Sequence, residues 1–376
     1  MTLTATTRYD RRSQAMCQKQ LTSNGAHYTI ALPFTKHSLQ TPAEEKNITM
    51  ETLIPASLGV LFGLLGLLWG ADRFVAGSVG AAKNFGISPL VIGLTIVSIG
   101  TSAPEIIVAI NAALNDAGDM AVGNAIGSNL ANIGLVLGIT ALVCPIPIQG
   151  HLIKQEGPVL LAITLLAGFF IFDGNLSRAE GLTLALIIPP LLALTIYYKK
   201  RHPNPETVEE GEATPSMSTT TAVLWFSVGL AALLISSEAL VWGAKEFALF
   251  FGVSQLIIGL TVVAVGTSLP ELAASVMSAL RGHHDIALGN IFGSNLFNLL
   301  AVLSVPGIIA PLTLDNAVFY RDYLAMSLLT GVLIVIIAWS LWRGRKEHHQ
   351  AKLSKKVGLT LLTLYGLYYV ILIPGA

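Results

Sequence analysis

Cysteine and histidine are scarce in this 376-residue sequence, and their positions exclude two kinds of site. The two cysteines, Cys17 and Cys144, fit neither a disulfide framework nor a thiolate metal centre. All eight histidines fall outside the long apolar runs, which excludes a histidine metal cluster or a buried histidine base within those runs. Chemistry based on sulfur or imidazole is therefore not expected.

Charge is also scarce. Only 12% of the residues are charged and the formal net charge is zero, so no overall field attracts nucleic acid or an acidic partner. With 53% hydrophobic residues and a mean hydropathy of +0.67, the composition is typical of a polytopic membrane protein. We expect a lipid bilayer as the environment, with no cofactor, no nucleic acid and no obligate protein partner.

Long apolar runs are abundant, and most reach the ~20 residues that span a bilayer as a helix. Ten such runs cover residues 54–80, 87–114, 119–143, 154–172, 177–198, 220–248, 253–280, 285–310, 322–342 and 355–373. The pattern predicts an all-α polytopic membrane protein with ten transmembrane helices.

Two of these runs carry nearly the same motif. GLTIVSIGTSAPE at 93–105 returns as GLTVVAVGTSLPE at 259–271, and the same offset of 166 aligns GNAIGSNLAN at 123–132 with GNIFGSNLFN at 289–298. Each half therefore has five predicted helices. Because five is odd, a direct copy enters the membrane from the opposite side, which predicts two inverted five-helix repeats.

The predicted organisation follows from this repeat. A polar tail covers 1–49, the first repeat 50–198, a charged linker 199–219 and the second repeat 220–376. The tail lacks the apolar core of a secretory signal, and the segment METLIP at 50–55 runs directly into the first apolar run. We interpret the tail as disordered or as a misassigned start that precedes the true one at Met50.

Basic residues mark the cytoplasmic loops of membrane proteins. One set of alternate loops has only Arg178, Lys245 and Arg321. The other set has Lys83, Lys154, Lys199, Lys200, Arg201, Arg281, Arg343, Arg345, Lys346, Lys352, Lys355 and Lys356. This asymmetry predicts a cytoplasmic linker at 199–219 and both termini outside the inner (plasma) membrane.

Each repeated motif contains a proline that breaks its helix. Pro104 cannot donate a hydrogen bond to the carbonyl of Gly100, and Pro270 cannot donate one to Gly266. Carbonyls without partners at bilayer depth must line a cavity or bind something, and a cation suits them. The motif therefore predicts broken helices at the membrane midplane with backbone oxygens available to an ion.

The side chains around the breaks offer oxygen alone. Burying an ionised carboxylate costs at least ~2.5 kcal/mol, so two glutamates at equivalent positions indicate function. Oxygen sets of this kind bind hard cations such as Ca²⁺ and Na⁺. The candidate ligands are Thr101, Ser102, Glu105, Ser128 and Asn132 in the first half and Thr267, Ser268, Glu271, Ser294 and Asn298 in the second.

Two further features of the repeat concern packing. The pairs Gly123 with Gly127 and Gly289 with Gly293 have GxxxG spacing, which lets the companion helices approach the broken ones closely. Asp72 and Glu238 also occupy equivalent positions, but they lie nearer the helix ends, and we interpret them as structural.

The two GTSxPE segments and their GNxxGSN companions resemble the alpha repeats of the cation/calcium exchanger family. The resemblance covers essentially everything from Met50 on, and its motifs are long, duplicated and correctly placed among the apolar runs. RDYLAMSLL at 321–329 and the short linker resemble the bacterial inner-membrane sodium/calcium antiporters in particular. The linker leaves no room for the regulatory domains of animal-type members.

The resemblance implies a cluster of ion sites at the bilayer centre, with Ca²⁺ between the two glutamates. It assigns the ten side chains above as ligands and adds the backbone carbonyls of Ser98 and Ala264. Many relatives carry Asp where this chain has Asn298. Because that carboxylate is associated with potassium coupling, the resemblance implies exchange without potassium.

The leading hypothesis is a secondary antiporter, not an enzyme, that exchanges Ca²⁺ for Na⁺ by alternating access as the first and sixth helices slide past the rest. Exchange of Ca²⁺ or another divalent cation for H⁺ is the alternative, because two protons neutralise two carboxylates as well as one Ca²⁺. A channel needs a pore axis that an inverted repeat does not provide. An intramembrane hydrolase using Ser102 or Ser268 lacks a nearby base.

Overall fold

A computed structural model gives the fold and describes residues 50–201, 217–253, 262, 264–347 and 350–372. All of them belong to one compact unit, Ile48–Ala376. The predicted tail at 1–49 and most of the predicted linker at 199–219 lie outside the described residues.

The described part of the first half consists of six helices. A break at Ser102 separates the second from the third. They are α1 (Met50–Phe85), α2 (Pro89–Thr101), α3 (Ala103–Leu114), α4 (Gly118–Val143), α5 (Leu152–Ile171) and α6 (Arg178–Arg201).

The second half repeats this order. Its helices are α7 (Thr219–Phe250), α8 (Ala264–Thr267), α9 (Leu269–Leu280), α10 (His284–Ile309), α11 (Val318–Lys346) and α12 (Lys355–Leu372). The bounds of α9 and α10 equal those of α3 and α4 shifted by 166 residues. The sequence repeat is therefore also a repeat of local structure.

Eight of the described helices are long and apolar enough to cross a membrane, and the pair α2 and α3, bent by 44°, makes up to nine spans. The predicted run 87–114 is thus two helices. The predicted run 253–280 contains positions 254–261 and 263, which lie outside the described residues, and its described part includes the shorter apolar helix α9. The count of ten spans stays a prediction.

Four two-residue strands add to the all-α prediction and join the halves. They are β1 (Ile146–Pro147), β2 (Asn175–Leu176), β3 (Leu312–Thr313) and β4 (Lys352–Leu353). Strand β1 pairs with β4, with Ile146 opposite Leu353, and β2 pairs with β3, with Asn175 opposite Thr313; both pairs are antiparallel. Each pair connects a loop of the first half with a loop of the second.

Helices α1 and α7 are the first helix of each half, and they pack against each other along their length in opposite directions. A methyl group on Gly63 would lie 2.8 Å from the backbone nitrogen of Leu240, and one on Gly70 would lie 2.9 Å from that of Leu233. Small residues recur every seven positions at this contact: Ala56, Gly63, Gly70 and Gly77 on α1, and Ala222, Gly229, Ser236 and Gly243 on α7. Such a seam lets two backbones approach closely.

The core lies around α4 and α10. In the most apolar 18-residue stretch of α10, 89% of the residues are buried, against 17% for α7. The largest fully buried side chains include Ile126, Leu130 and Ile133 of α4 and Phe292 of α10. The two companion helices that carry candidate ligands are therefore the most enclosed of the spans.

Candidate functional site

The helix breaks lie where the prolines predict them. Ser102 stands between α2 and α3 with φ −83° and ψ 8°, and Ser268 stands between α8 and α9 with φ −89° and ψ 5°. Pro104 and Pro270 are each the second residue of the helix that follows. Since proline has no N–H to donate and favours the start of a helix, each one ends the preceding helix and begins the next.

The backbone oxygens at the breaks are less free than expected. The Ser237 hydroxyl of α7 donates to the carbonyl of Gly266 at 2.9 Å. The carbonyl of Ser98 accepts from the Ser102 N–H at 3.0 Å and from Thr101 Oγ1 at 3.4 Å. The expectation that the proline leaves the Gly266 carbonyl without a partner is therefore wrong, because a hydroxyl from another helix replaces the missing N–H. The position equivalent to Ser237 in the first half is Ala71, which has no hydroxyl.

The two glutamates are buried, and side chains of one half reach the other. Glu105 and Glu271 lie in the first turns of α3 and α9 and are each 1% exposed. The Ser102 hydroxyl donates to Glu271 Oε1 at 3.0 Å, and Thr101 Oγ1 donates to Asn290 Oδ1 at 3.1 Å. The structure thus brings the first motif against the second.

Many candidate ligands contain buried polar atoms that make no hydrogen bond within the described part of the chain. In native proteins such atoms are rare, and a bound ion or water accounts for most of them. They are Oε2 of Glu105 and Glu271, the amide oxygens and nitrogens of Asn132 and Asn298, and the hydroxyls of Ser268 and Ser294. The oxygens match what a hard cation requires.

The companion helices widen at the candidate ligands. A π-helical turn begins at Asn132 in α4 (Asn132–Leu137) and another at Asn298 in α10 (Asn298–Val302). Such turns occur mostly at functional sites, because the extra residue leaves backbone groups out of the regular pattern. Ser128 and Ser294 lie one turn earlier and are also buried.

One of the two GxxxG pairs has the predicted role. Methyl groups on Gly289 and Gly293 would lie 2.9 Å from the Leu94 nitrogen and 2.7 Å from the Leu94 carbonyl oxygen, so α10 contacts α2 backbone to backbone. For Gly123 and Gly127 the equivalent partner segment, 255–264, falls mostly among residues outside the described set. That half of the prediction stays untested.

The remaining candidates divide between the site and the periphery. Thr267 ends α8 and is half-buried, and Ala264 begins that helix, so its carbonyl stays a prediction. Asp72 forms an ion pair with Arg281 at the start of the loop between α9 and α10, and Glu238 is exposed. Neither acid is among the buried groups with unpaired oxygens.

Asn124 and Asn290 were not among the predicted ligands, yet each contacts the residue that carries the charge. Asn124 Nδ2 donates to the Glu105 carbonyl at 3.3 Å, and Asn290 Nδ2 donates to the Glu271 carbonyl at 3.4 Å. Both belong to the duplicated GNxxGSN segment, 166 residues apart. Their exact repetition is the sequence signal that could have identified them.

Comparison with known proteins supports this geometry. The family model for the sodium/calcium exchanger protein matches residues 56–196 and 221–373. The chain belongs to this family. The resemblance seen in the sequence is therefore confirmed, and with it a membrane antiporter that exchanges Ca²⁺, a class of transporters rather than of enzymes.

Individual relatives match over most of their length. The putative antiporter CaxA of Alkalimonas amylolytica is 48% identical over 287 residues, which cover 76% of this chain and 90% of that protein. The inner membrane protein YrbG of Escherichia coli (strain K12) is 37% identical, with 76% and 90% covered. A structure of the sodium-calcium exchanger NCX_Mj soaked with Na⁺ and Ca²⁺ has a TM-score of 0.71 and 31% identity, covering 84% of this chain and 97% of that one.

Proposed function

We propose that this member of the sodium/calcium exchanger family couples Ca²⁺ transport in one direction to Na⁺ transport in the other. The supporting observation is the pair of buried glutamates, Glu105 and Glu271, whose Oε2 atoms make no hydrogen bond within the described residues. Two carboxylates balance one Ca²⁺, and the hard cation gains oxygen ligands from both halves. CaxA and NCX_Mj, which resemble the chain, are named as antiporter and sodium-calcium exchanger.

Neutral oxygens favour sodium as the coupling ion. Ser102, Asn132 and Asn298 supply uncharged oxygens around the glutamates, and such oxygens suit monovalent cations that replace one divalent ion. We propose that Thr101, Ser128, Thr267, Ser268, Ser294 and the carbonyls of Ser98 and Ala264 complete the ligand set.

The inverted repeat that alternating access requires has support from two observations. Helices α1 and α7 are equivalent by sequence but run in opposite directions where they pack. The family model matches in two segments, 56–196 and 221–373, which correspond closely to the two proposed repeats. We propose ten membrane-spanning helices in two inverted sets of five, with the first helix of each set moving past the rest.

Purified protein in sealed vesicles tests the coupling. Ca²⁺ uptake is measured with an outward Na⁺ gradient at equal pH on both sides, and then with an outward H⁺ gradient in the absence of Na⁺. We expect uptake with the Na⁺ gradient only, and none in vesicles with Glu271→Gln. Uptake driven by H⁺ alone would favour proton exchange, the second candidate, which the two carboxylates also allow.

The location is proposed from loop charge and from the inner-membrane relative YrbG. We propose an inner (plasma) membrane protein with a cytoplasmic linker at 199–219 and both termini outside. A reporter fused after Ala376 tests this orientation. A reporter that is active only on the cytoplasmic side would contradict it.

A further inference from the structure

Asn124 and Asn290 hold the same backbone atom in the two halves. Each donates from its side-chain amide to the carbonyl of the glutamate in its own half, over 3.3 Å to Glu105 and 3.4 Å to Glu271. The bond runs from a companion helix to the first turn after a helix break. Because both halves make it, the contact is a property of the repeated architecture.

The bond restrains the direction of the glutamate side chain. A helical carbonyl already accepts one hydrogen bond from the residue four positions on, and its second lone pair can accept another. A donor from a neighbouring helix uses that lone pair and fixes the rotation of the helix about its axis. Since the carboxylate leaves the same residue, this rotation decides where the charged oxygens lie.

Asn290 makes contacts to both halves. It is fully buried, its Oδ1 accepts from Thr101 Oγ1 of the first half at 3.1 Å, and its Nδ2 also lies 3.0 Å from Ser275 Oγ. A single amide therefore joins a proposed ligand of one half to the backbone of the glutamate in the other. Asn124 is only half-buried.

We propose that Asn290 is a positioning residue that couples the two halves of the ion site, with Asn124 as its counterpart for Glu105. The proposal rests on the proposed function of ion exchange. Asn290 contacts other side chains and backbone instead of the ion, so its loss misplaces ligands from both halves at once. Ion affinity then falls, while the maximal rate of exchange changes less.

The main test compares Asn290→Ala with the unaltered chain in vesicles. Initial Ca²⁺ uptake is measured against Ca²⁺ concentration, and we expect the apparent KM to rise about tenfold with a maximal rate within about twofold, since two interhelical bonds to ligand residues are lost. A lower maximal rate with unchanged KM is what a merely structural role produces, and it would overturn the proposal.

Two matched variants separate the contacts. Ser275→Ala removes only the bond within the second half, and we expect its KM to stay within about twofold of the unaltered value. Asn124→Ala removes one bond at a half-buried position that tolerates a smaller side chain, and we expect KM to rise about threefold. If Asn290→Ala does not fold, an unchanged KM in Asn124→Ala overturns the proposal.

A double-mutant cycle tests the link between halves. Thr101→Val and Asn290→Ala are each combined with the other, and we expect the joint loss of affinity to be smaller than the product of the two single losses, because both remove the same bond. Strictly multiplicative effects would exclude the coupling.

Binding measurements keep this inference separate from the transport claim. Ca²⁺ is titrated against thermal denaturation of the detergent-purified chain, and we expect weaker stabilisation of Asn290→Ala at each concentration. An unaltered chain that binds Ca²⁺ but shows no exchange would contradict the proposed function alone. Equal Ca²⁺ stabilisation of both proteins would contradict the role of Asn290 alone.

Discussion

At the residue scale, the decisive feature is two acids buried without a basic partner at the site. Glu105 and Glu271 are each 1% exposed, and the hydroxyl of Ser102 is the side chain that donates to Glu271. Burial of an ionised carboxylate is unfavourable unless charge and hydrogen bonds compensate it. A divalent cation supplies the missing charge, so binding and the stability of the folded site are linked.

Replacement of either acid by its amide should abolish Ca²⁺ exchange. Loss of one charge about 4 Å from the ion removes about 4 kcal/mol at an effective dielectric of 20, a roughly thousandfold loss of affinity. We expect no measurable uptake by Glu105→Gln or Glu271→Gln vesicles. The folded amount should not fall, because a neutral amide is cheaper to bury, and size-exclusion chromatography checks this. Near-normal uptake by either variant would remove the central role of the acids.

Asn298 allows a test of charge number. Asn298→Asp adds a third carboxylate near the two glutamates, and like charges in one site favour binding of a proton. We therefore expect Na⁺-driven Ca²⁺ flux by this variant to depend more steeply on pH between about 6 and 8.5 than flux by the unaltered chain. Superimposable pH profiles would show that position 298 does not face the ions.

The sequence predicted which residues carry oxygen but not which ones meet. Proline and glutamate are local signals, so the breaks and the acids could be read directly. The bond from Ser102 to Glu271 joins residues 169 positions apart, and the donor to Gly266 comes from Ser237 on another helix. Such partners depend on how helices rotate against each other, and a single sequence contains no direct signal for that.

At the element scale, helix ends were predicted within a few residues, whereas the irregular turns were not. The predicted run 119–143 corresponds to α4, Gly118–Val143. The π-helical turn Asn132–Leu137 within it leaves no mark in hydropathy, because one extra residue per turn changes the period only briefly. The two-residue strands are equally invisible, since their pairing is set by the fold.

The close contact of α10 with α2 should be sensitive to one methyl group. In Gly293→Ala the new carbon would lie 2.7 Å from the Leu94 carbonyl, so α10 must move away, at a cost of about 1–3 kcal/mol. We expect a lower melting temperature and weaker Ca²⁺ uptake. Gly366→Ala in α12 is the matched control, because no described atom lies within 4 Å of its new carbon. Equal stability of the two variants would contradict the contact.

At the scale of the whole molecule, contacts between the halves hold the protein together. The strand pairs, the seam of α1 with α7 and the bond from Asn129 Nδ2 to the Asn295 carbonyl at 3.2 Å all cross from one half to the other. Each half taken alone would expose these surfaces and part of the ion site. Neither half should therefore function without its counterpart.

Separate expression of the halves tests this dependence. Residues 50–201 and 217–376, produced together as two chains, should associate and restore Ca²⁺ uptake, since the contacts do not require the intervening segment. We expect the two chains to copurify through a tag on one of them. Uptake by either chain alone would contradict the shared site.

The seam of small residues between α1 and α7 has a consequence for leakage. Two helices whose backbones touch at every seventh residue behave as one plank, and a plank that tips toward one face of the membrane withdraws from the other. We infer that the ion path resembles a lock with linked gates, in which neither gate opens alone. Each passage of ions then requires a full tilt of the plank, so the gradients on the two sides are never short-circuited.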